Sequence, residues 1–514
     1  METTRSNHLD QLFALAQKDP MTAEELSVRL NDAKSQARFV HQLDDMTVDF
    51  SRQSVRDDDL DALIAWGQSI LPQRDAMLAG NIMNKSEGRT AGHPALRDPE
   101  NPAAQENIAA MSAMVERILS LGVEDVIAIG IGGSYLGPAM LVEALAPFHQ
   151  GPDIHFVANL DPSHLDDKLA MLNPVTTAVV TISKTFTTKE PLVNMAVAKK
   201  WFDANGVGTD DRFFAVTAHK DNALRHGVAS GNILLMDEAV GGRFSLWSAV
   251  GLPIMIALGE EMFIDLIAGA EQMDKHFSAA PVAENMPILG ALIQIWNRSF
   301  LGYSGWVVSP YDQRLFGFPE WLQQLVMESN GKSLTAAGTP VDLATSPIVF
   351  GEPGSNSQHS YFQMIHQSGD IIPCDLIAPI MPLSLTGNND DASLIERHRD
   401  LIAQMLAQAD CLALGHLADG ANGDRSFTGG RPSTLITWQV SSPFALGRLL
   451  AYYEHLTVVC GWLLELNSFD QPGVELGKAI AKNYVNYMHD ETADKTSGNS
   501  ITQNSKTYLD RYKN

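Results

Sequence analysis

The chain has 514 residues, 45% hydrophobic and 19% charged, a globular composition with enough length for two cores. Its 36 basic and 61 acidic residues leave a formal charge of −25. That sign argues against nucleic acid or an anionic membrane as main partner, and obliges any anionic substrate to sit in a locally positive pocket.

Cys374, Cys411 and Cys460 are far apart, with neither a CxxC pair nor metal-ligand spacing. The start, Met1-Glu2-Thr3-Thr4-Arg5, lacks the apolar stretch of a signal peptide. The longest apolar run, residues 246–259, is too short and interrupted to cross a bilayer. A soluble, cytoplasmic protein is expected.

Residues 1–70 are polar, with apolar side chains at helical spacing (Leu9, Leu12, Phe13; Leu60, Leu63, Ile64), and predict a helical cap. A polar connector follows, in which Arg89, His93 and Arg97 either face a pocket or belong to a solvated loop. From about residue 105 strands and helices alternate. Apolar, β-branched runs at 126–131, 154–158, 178–182, 213–217 and 233–236 predict one parallel, doubly wound sheet. After the apolar segment 246–267 the alternation returns. Strands are expected at 306–308, 347–350 and 371–377, and helices at 320–327 and 358–366, giving a second αβα unit. Residues 382–391 and 419–432 read as loops, and 449–466 as an apolar helix. The polar tail from Lys478 to Asn514 is expected to be helical in part.

Chemistry concentrates at the ends of the predicted strands. Gly130-Ile131-Gly132-Gly133-Ser134-Tyr135-Leu136-Gly137-Pro138 joins a buried strand to a helix, where backbone N–H groups and the helix dipole can meet an anion. A tight turn is the plainer reading. Tyr135 stands where a dinucleotide fingerprint needs its third glycine, and no Gly-Lys-Ser/Thr ending marks a nucleotide-triphosphate loop. Ser183-Lys184-Thr185-Phe186-Thr187-Thr188 places four hydroxyls and an ammonium at another strand-to-helix turn. Such a set can hold a phosphate monoester or merely cap a helix. Gly241-Gly242-Arg243-Phe244-Ser245-Leu246-Trp247-Ser248 sets Arg243 either at a crevice, able to stabilise an anionic intermediate, or on a rim. Glu328 ends an amphipathic helix closed by Asn330-Gly331, a place where carboxylates are usually solvated. His359 falls in the first turn of a helix, and Lys478 follows a turn that begins at Phe469-Asp470-Gln471.

Taken together, these segments make the chain resemble the phosphoglucose (glucose-6-phosphate) isomerase family from about residue 80 onward. The segments Gly-Gly-Arg-Phe-Ser-Leu-Trp-Ser and Phe-Asp-Gln-x-Gly-Val-Glu-x-x-Lys are highly specific to that family, whereas Gly-x-Gly-Gly-Ser is shared with sugar-isomerase domains generally. The chain departs from the family's usual pattern at Ala91-Gly92 and Ser357.

The resemblance implies two αβα sugar-isomerase domains at 101–258 and 259–477, a helical N-terminal region at 1–100 and a C-terminal helical tail at 478–514. It implies that Gly133, Ser134, Ser183, Lys184, Thr185 and Thr188 bind the phosphate. Glu328 would shuttle the proton and Arg243 would stabilise the enediolate. His359 and Lys478 would open the ring, and Gln324 and Gln471 would position hydroxyls. No metal and no organic cofactor are implied. A homodimer with shared sites is, its histidine loop completing the partner's site. A non-catalytic sugar-phosphate-binding regulator is the competing reading.

Overall fold

The computed structural model describes residues 2–384, 391–416, 426–489 and 501–513. Parts of the two expected loops, 385–390 and 419–425, and of the expected tail, 490–500, lie outside this set. Strands in chain order are β1 (Val40–Leu43), β2 (Met46–Arg52), β3 (Ile82–Asn84), β4 (Arg89–Thr90), β5 (Asp125–Ile129), β6 (Asp153–Val157), β7 (Thr177–Ile182), β8 (Phe213–Thr217), β9 (Ile233–Leu235), β10 (Gly305–Pro310), β11 (Ile348–Phe350), β12 (Cys374–Pro379) and β13 (Ser433–Trp438). Strands β3 and β4 form a small separate ribbon.

The first large sheet has the order β6-β5-β7-β8-β9, with every neighbouring pair parallel. Its inner strands read as unbroken apolar runs because helices cover both faces; β7 and β8 are buried at every position. Renumbered from its first strand, the order is 2-1-3-4-5. The chain reverses direction across the sheet at β5, and a ligand crevice is expected beyond the carboxyl ends of β5 and its neighbour β7.

The second sheet runs β1-β2-β13-β12-β10-β11. Its parallel part, β11-β10-β12-β13, is the expected second αβα unit. The N-terminal region, expected to be helical, also supplies a hairpin. Strands β1 and β2 pair antiparallel around Asp44-Asp45, with Asp44 at φ 56°, and β2 pairs antiparallel with β13. The alternation Met46-Thr47-Val48-Asp49-Phe50 carries that strand, its apolar side chains turned inward and its polar ones half exposed. Strand β13 was not expected either, because Ser433, Thr434 and Thr437 dilute its apolar run. It is nevertheless buried at all but one position.

Residues Met1–Phe469 form one unit and Asp470–Asn514 a second. Within the first, one core joins side chains of both sheets, among them Val126, Val180 and Phe214 with Val308, Ile377 and Ile436. The wholly apolar helix Leu252–Leu258 is buried at every position, and Gly259, at φ 86°, separates it from helix Glu260–Ala279. Helix Pro443–Leu463 packs along Glu260–Ala279 and Met286–Ile295, with all but two of its residues buried. The second unit holds helices Glu475–Met488 and Gln503–Lys513. Among the described residues no helix is long and apolar enough to cross a membrane.

Candidate active site

The loop after β5 turns through residues Gly132–Ser134 into helix Leu136–Ala144. Two of its glycines are required by close approach. A Cβ on Gly133 would lie 1.8 Å from the carbonyl oxygen of Gly242. Gly132, at φ 60°, would bring a Cβ to 3.0 Å from Gln324 Nε2. Three segments remote in sequence thus meet backbone to backbone or backbone to side chain: the Ser134 loop, the Arg243 loop and the helix bearing Gln324 and Glu328. Ser134 is half-buried at the end of this turn.

The loop after β7 lies beside it, since β5 and β7 are paired as far as Ile129 and Thr181. Ser183 is buried, and its Oγ accepts from the Phe186 N–H at 3.2 Å while facing Thr188 Oγ1 at 3.5 Å. Thr188 stands at the N-cap of helix Lys189–Ala204, yet its hydroxyl makes no cap hydrogen bond. The plain capping reading therefore does not describe it. Thr187 donates to Thr185 Oγ1 at 2.8 Å, and Thr185 is exposed. Lys184 folds the other way, donating to the carbonyls of Glu238 at 2.7 Å and Val240 at 3.2 Å. Burial, and then the nearby Arg89, push its pKa below the usual lysine value. Its ammonium ties the hydroxyl loop to the segment leading into Arg243.

Arg243 is 4% exposed, which removes the rim reading. Its Nε donates to Ser329 Oγ at 2.6 Å, its Nη2 to the Ser468 carbonyl at 2.5 Å, and its Nη1 lies 3.4 Å from Glu328 Oε2. Gln324 Nε2 donates to the same carboxylate oxygen at 3.0 Å. Both residues belong to one wide π turn, Gln324–Glu328, which continues helix Phe318–Gln323 and brings positions i and i+4 to one opening. The Glu328 side chain is 26% exposed, against 2% for Arg243. A carboxylate reachable from solvent thus lies against a buried, immobilised guanidinium, with hydroxyls and backbone N–H groups nearby. Such a set can remove and return a proton while the cation and the amide steady the charge that develops.

His359 is exposed at the end of the short turn Asn356–His359, and no hydrogen bond described here joins it to Glu328 or Arg243. Gln471 and Lys478 belong to the second unit, in which Gln471 is exposed ahead of Pro472–Val474 and Lys478 Nζ pairs with Glu475 Oε1 at 2.9 Å. Of the connector residues, Arg89 and His93 line a small recess shared with Lys184 and Gly241. Arg97 does not; it is fully buried, bonded to Asp274 at 2.7 and 2.8 Å and to Glu454.

Ser329 and Ser468, which hold Arg243, escaped the sequence reading. Each adjoins a recognised segment, one directly after Glu328 and the other directly before Phe469-Asp470-Gln471. A small hydroxyl residue beside a motif was the available signal.

Two αβα layers with hydroxyl-rich loops at the strand ends, meeting a carboxylate–guanidinium pair, define a protein of sugar-isomerase architecture. Residues 49–505 match the family Phosphoglucose isomerase. The glucose-6-phosphate isomerase of Sinorhizobium medicae is 41% identical over 87% of this chain and 88% of its own. That of Bartonella bacilliformis is 39% identical over 91% and 92%. The crystal structure of a glucose-6-phosphate isomerase from Chlamydia trachomatis superposes with a TM-score of 0.86 at 30% identity, covering 98% of each chain. The chain belongs to the phosphoglucose isomerase family.

Proposed function

We propose that this chain interconverts D-glucose 6-phosphate and D-fructose 6-phosphate, a step of glycolysis and gluconeogenesis. The observation that carries the reading is the Gln324–Glu328–Arg243 constellation, with Glu328 Oε2 3.0 Å from the amide nitrogen and 3.4 Å from the guanidinium. In this reading the phosphate is bound by Ser134, Ser183, Thr185 and Thr188, with Gly133 and Lys184 beside them. Holding the far end of the substrate orients the reacting carbons and lowers the entropic cost of reaction. His359 and Lys478 open the ring by moving a proton between the ring oxygen and the first hydroxyl. Glu328 then takes the proton from C2, leaving an enediolate whose charge Arg243 offsets, and returns it to C1. Gln324 and Gln471 hold hydroxyls. The balance closes when the hydroxyl proton of O2 passes to O1 while the carbon-bound proton moves from C2 to C1, and neither oxidant nor reductant is consumed.

The same reading divides the body into sugar-isomerase halves at 101–258 and 259–477. It makes the protein a cytoplasmic homodimer in which His359 serves the neighbouring subunit's site. His359 is exposed, as a side chain offered to a neighbouring subunit would be in the single chain. A regulator that only bound sugar phosphate would have no use for a carboxylate set against a buried arginine.

Glu328→Gln tests the assignment. The amide keeps the shape and the Gln324 contact but cannot take a proton, so kcat should fall by roughly 10²–10⁴ with hexose-phosphate affinity nearly intact. Near-normal turnover in a coupled assay would end the proposed role.

A further inference from the structure

The connector between β3 and helix Pro102–Leu119 has no part in the chemistry above, yet it follows the Arg243 segment contact by contact. Arg89 pairs with the Glu238 carboxylate at 3.1 Å. The Gly92 N–H donates to the Ala239 carbonyl at 3.2 Å, and a Cβ on Gly92 would sit 3.3 Å from the Ala239 side chain. The absence of a side chain at Gly92 therefore eases this approach. His93 stacks on Phe244 with ring centres 4.8 Å apart and planes 25° apart. Arg97 and Trp247 converge on Glu454.

Stacking at His93 closes a cluster of three rings. Phe244 and Phe469 lie 5.4 Å apart, and His93 is 6.3 Å from Phe469. Phe244 directly follows Arg243, and Phe469 directly follows Ser468, whose carbonyl accepts from the Arg243 guanidinium. The cluster therefore draws together the two backbones on which that guanidinium depends. His93 is 1% exposed, and burial, with Arg97 and His455 nearby, pushes its pKa well below the usual value. The imidazole stays neutral and adds no charge to compete with Arg243. Its Nε2 has no hydrogen-bond partner among the described residues, so packing and not hydrogen bonding is the role that the geometry supports for that edge.

We infer that His93 is a positioning residue for isomerisation, holding the Arg243 guanidinium through the Phe244–Phe469 ring cluster. This rests on the isomerase reading. Because Arg243 acts on charge that forms only in the transition state, while the phosphate is gripped elsewhere, loosening the cluster lowers kcat and spares KM.

The test compares His93→Ala and His93→Phe with the wild type in steady-state kinetics. In parallel it measures binding of two probes, a hydroxamate sugar phosphate that mimics the enediolate and a hexitol 6-phosphate that does not. His93→Ala should lose at least about tenfold in kcat and in hydroxamate affinity, with KM and hexitol affinity within about twofold. His93→Phe, which keeps the stacking face, should recover most of both. Adding His93→Ala to Arg243→Lys should cost little further, since the effect passes through that side chain.

Equal loss in the Phe variant, a rise in KM with kcat unchanged, or full additivity with Arg243→Lys would overturn the proposal. Should His93→Ala fail to fold, Phe469→Leu must show the same kcat-selective loss, and its absence would overturn the proposal equally. If the wild type itself does not isomerise or does not prefer the hydroxamate, it is the isomerase reading that fails, separately from His93.

Discussion

Arg243 is gripped by two segments far downstream in the chain: Ser329 is 86 residues away and Ser468 is 225. A guanidinium buried this deeply loses its hydration and must regain it from fixed acceptors. The Ser329 hydroxyl is one of them, and it directly follows Glu328, so a single turn of helix sets both the proposed base and the proposed oxyanion partner. Neighbouring Asn330 secures the turn, donating to the Thr457 carbonyl at 2.8 Å and accepting from Ser468 Oγ at 2.7 Å. Ser329→Ala removes a hydrogen bond to a charged group, worth about 1.5–3 kcal/mol. Because the loss bears on charge stabilisation, kcat should fall roughly ten- to a hundredfold with little change in KM, as read from initial rates.

At the scale of elements, the site depends on how closely three loops approach. Gly133 is where the β5 loop touches the Arg243 loop, and a methyl group there would meet the Gly242 carbonyl at 1.8 Å. Backbone cannot swing aside as a side chain can, so Gly133→Ala must push the two loops apart by more than an ångström. A displacement of that size costs on the order of 10²-fold in rate. The expected result is a loss of about that magnitude in kcat/KM. Far-UV circular dichroism should remain native, because the flanking strand and helix are untouched. The strand-to-helix loops were legible beforehand, since runs such as Val126-Ile127-Ala128-Ile129 followed by glycines are local signals. The hairpin β1–β2 and strand β13 were not. Polar residues dilute β13, and what makes it central is pairing with β2 through contacts such as Ile436 with Val48, remote in the chain.

At the scale of the whole molecule, a half-buried histidine should make stability depend on pH. His276 accepts from the Met286 N–H at 3.1 Å, and burial, with His41 and His455 nearby, lowers its pKa to about 4. Unfolded, it would titrate near the ordinary value of 6.5. Between these values the unfolded chain binds a proton that the folded one refuses, so this group's contribution is present above pH 6.5 and is lost as pH falls toward 4. Urea midpoints should therefore drop from pH 7 to pH 5. His276→Gln, which can still accept from Met286, should flatten that slope. Assembly offers a second test. If His359 serves the neighbouring subunit, mixing inactive Glu328→Gln and His359→Ala chains by reversible dissociation should restore about a quarter of wild-type activity, since half the dimers are mixed and each has one intact site. No recovery in verified mixed dimers would place both residues in one chain's site.

Local pattern was enough to determine the buried strands of the first sheet, the glycine and hydroxyl loops at their ends, and the segments around Arg243, Glu328 and Lys478 that mark the family. Period and turn chemistry are properties of neighbouring residues, and a sequence displays them directly. Only the tertiary structure decided that Arg243 is buried, that Ser329 and Ser468 hold it, that Lys184 bonds carbonyls of the Arg243 segment, and that Arg97 belongs to an ion network. Each of these depends on which remote carbonyl or carboxylate reaches a given cation. Packing of distant elements sets that choice, and no local pattern encodes it.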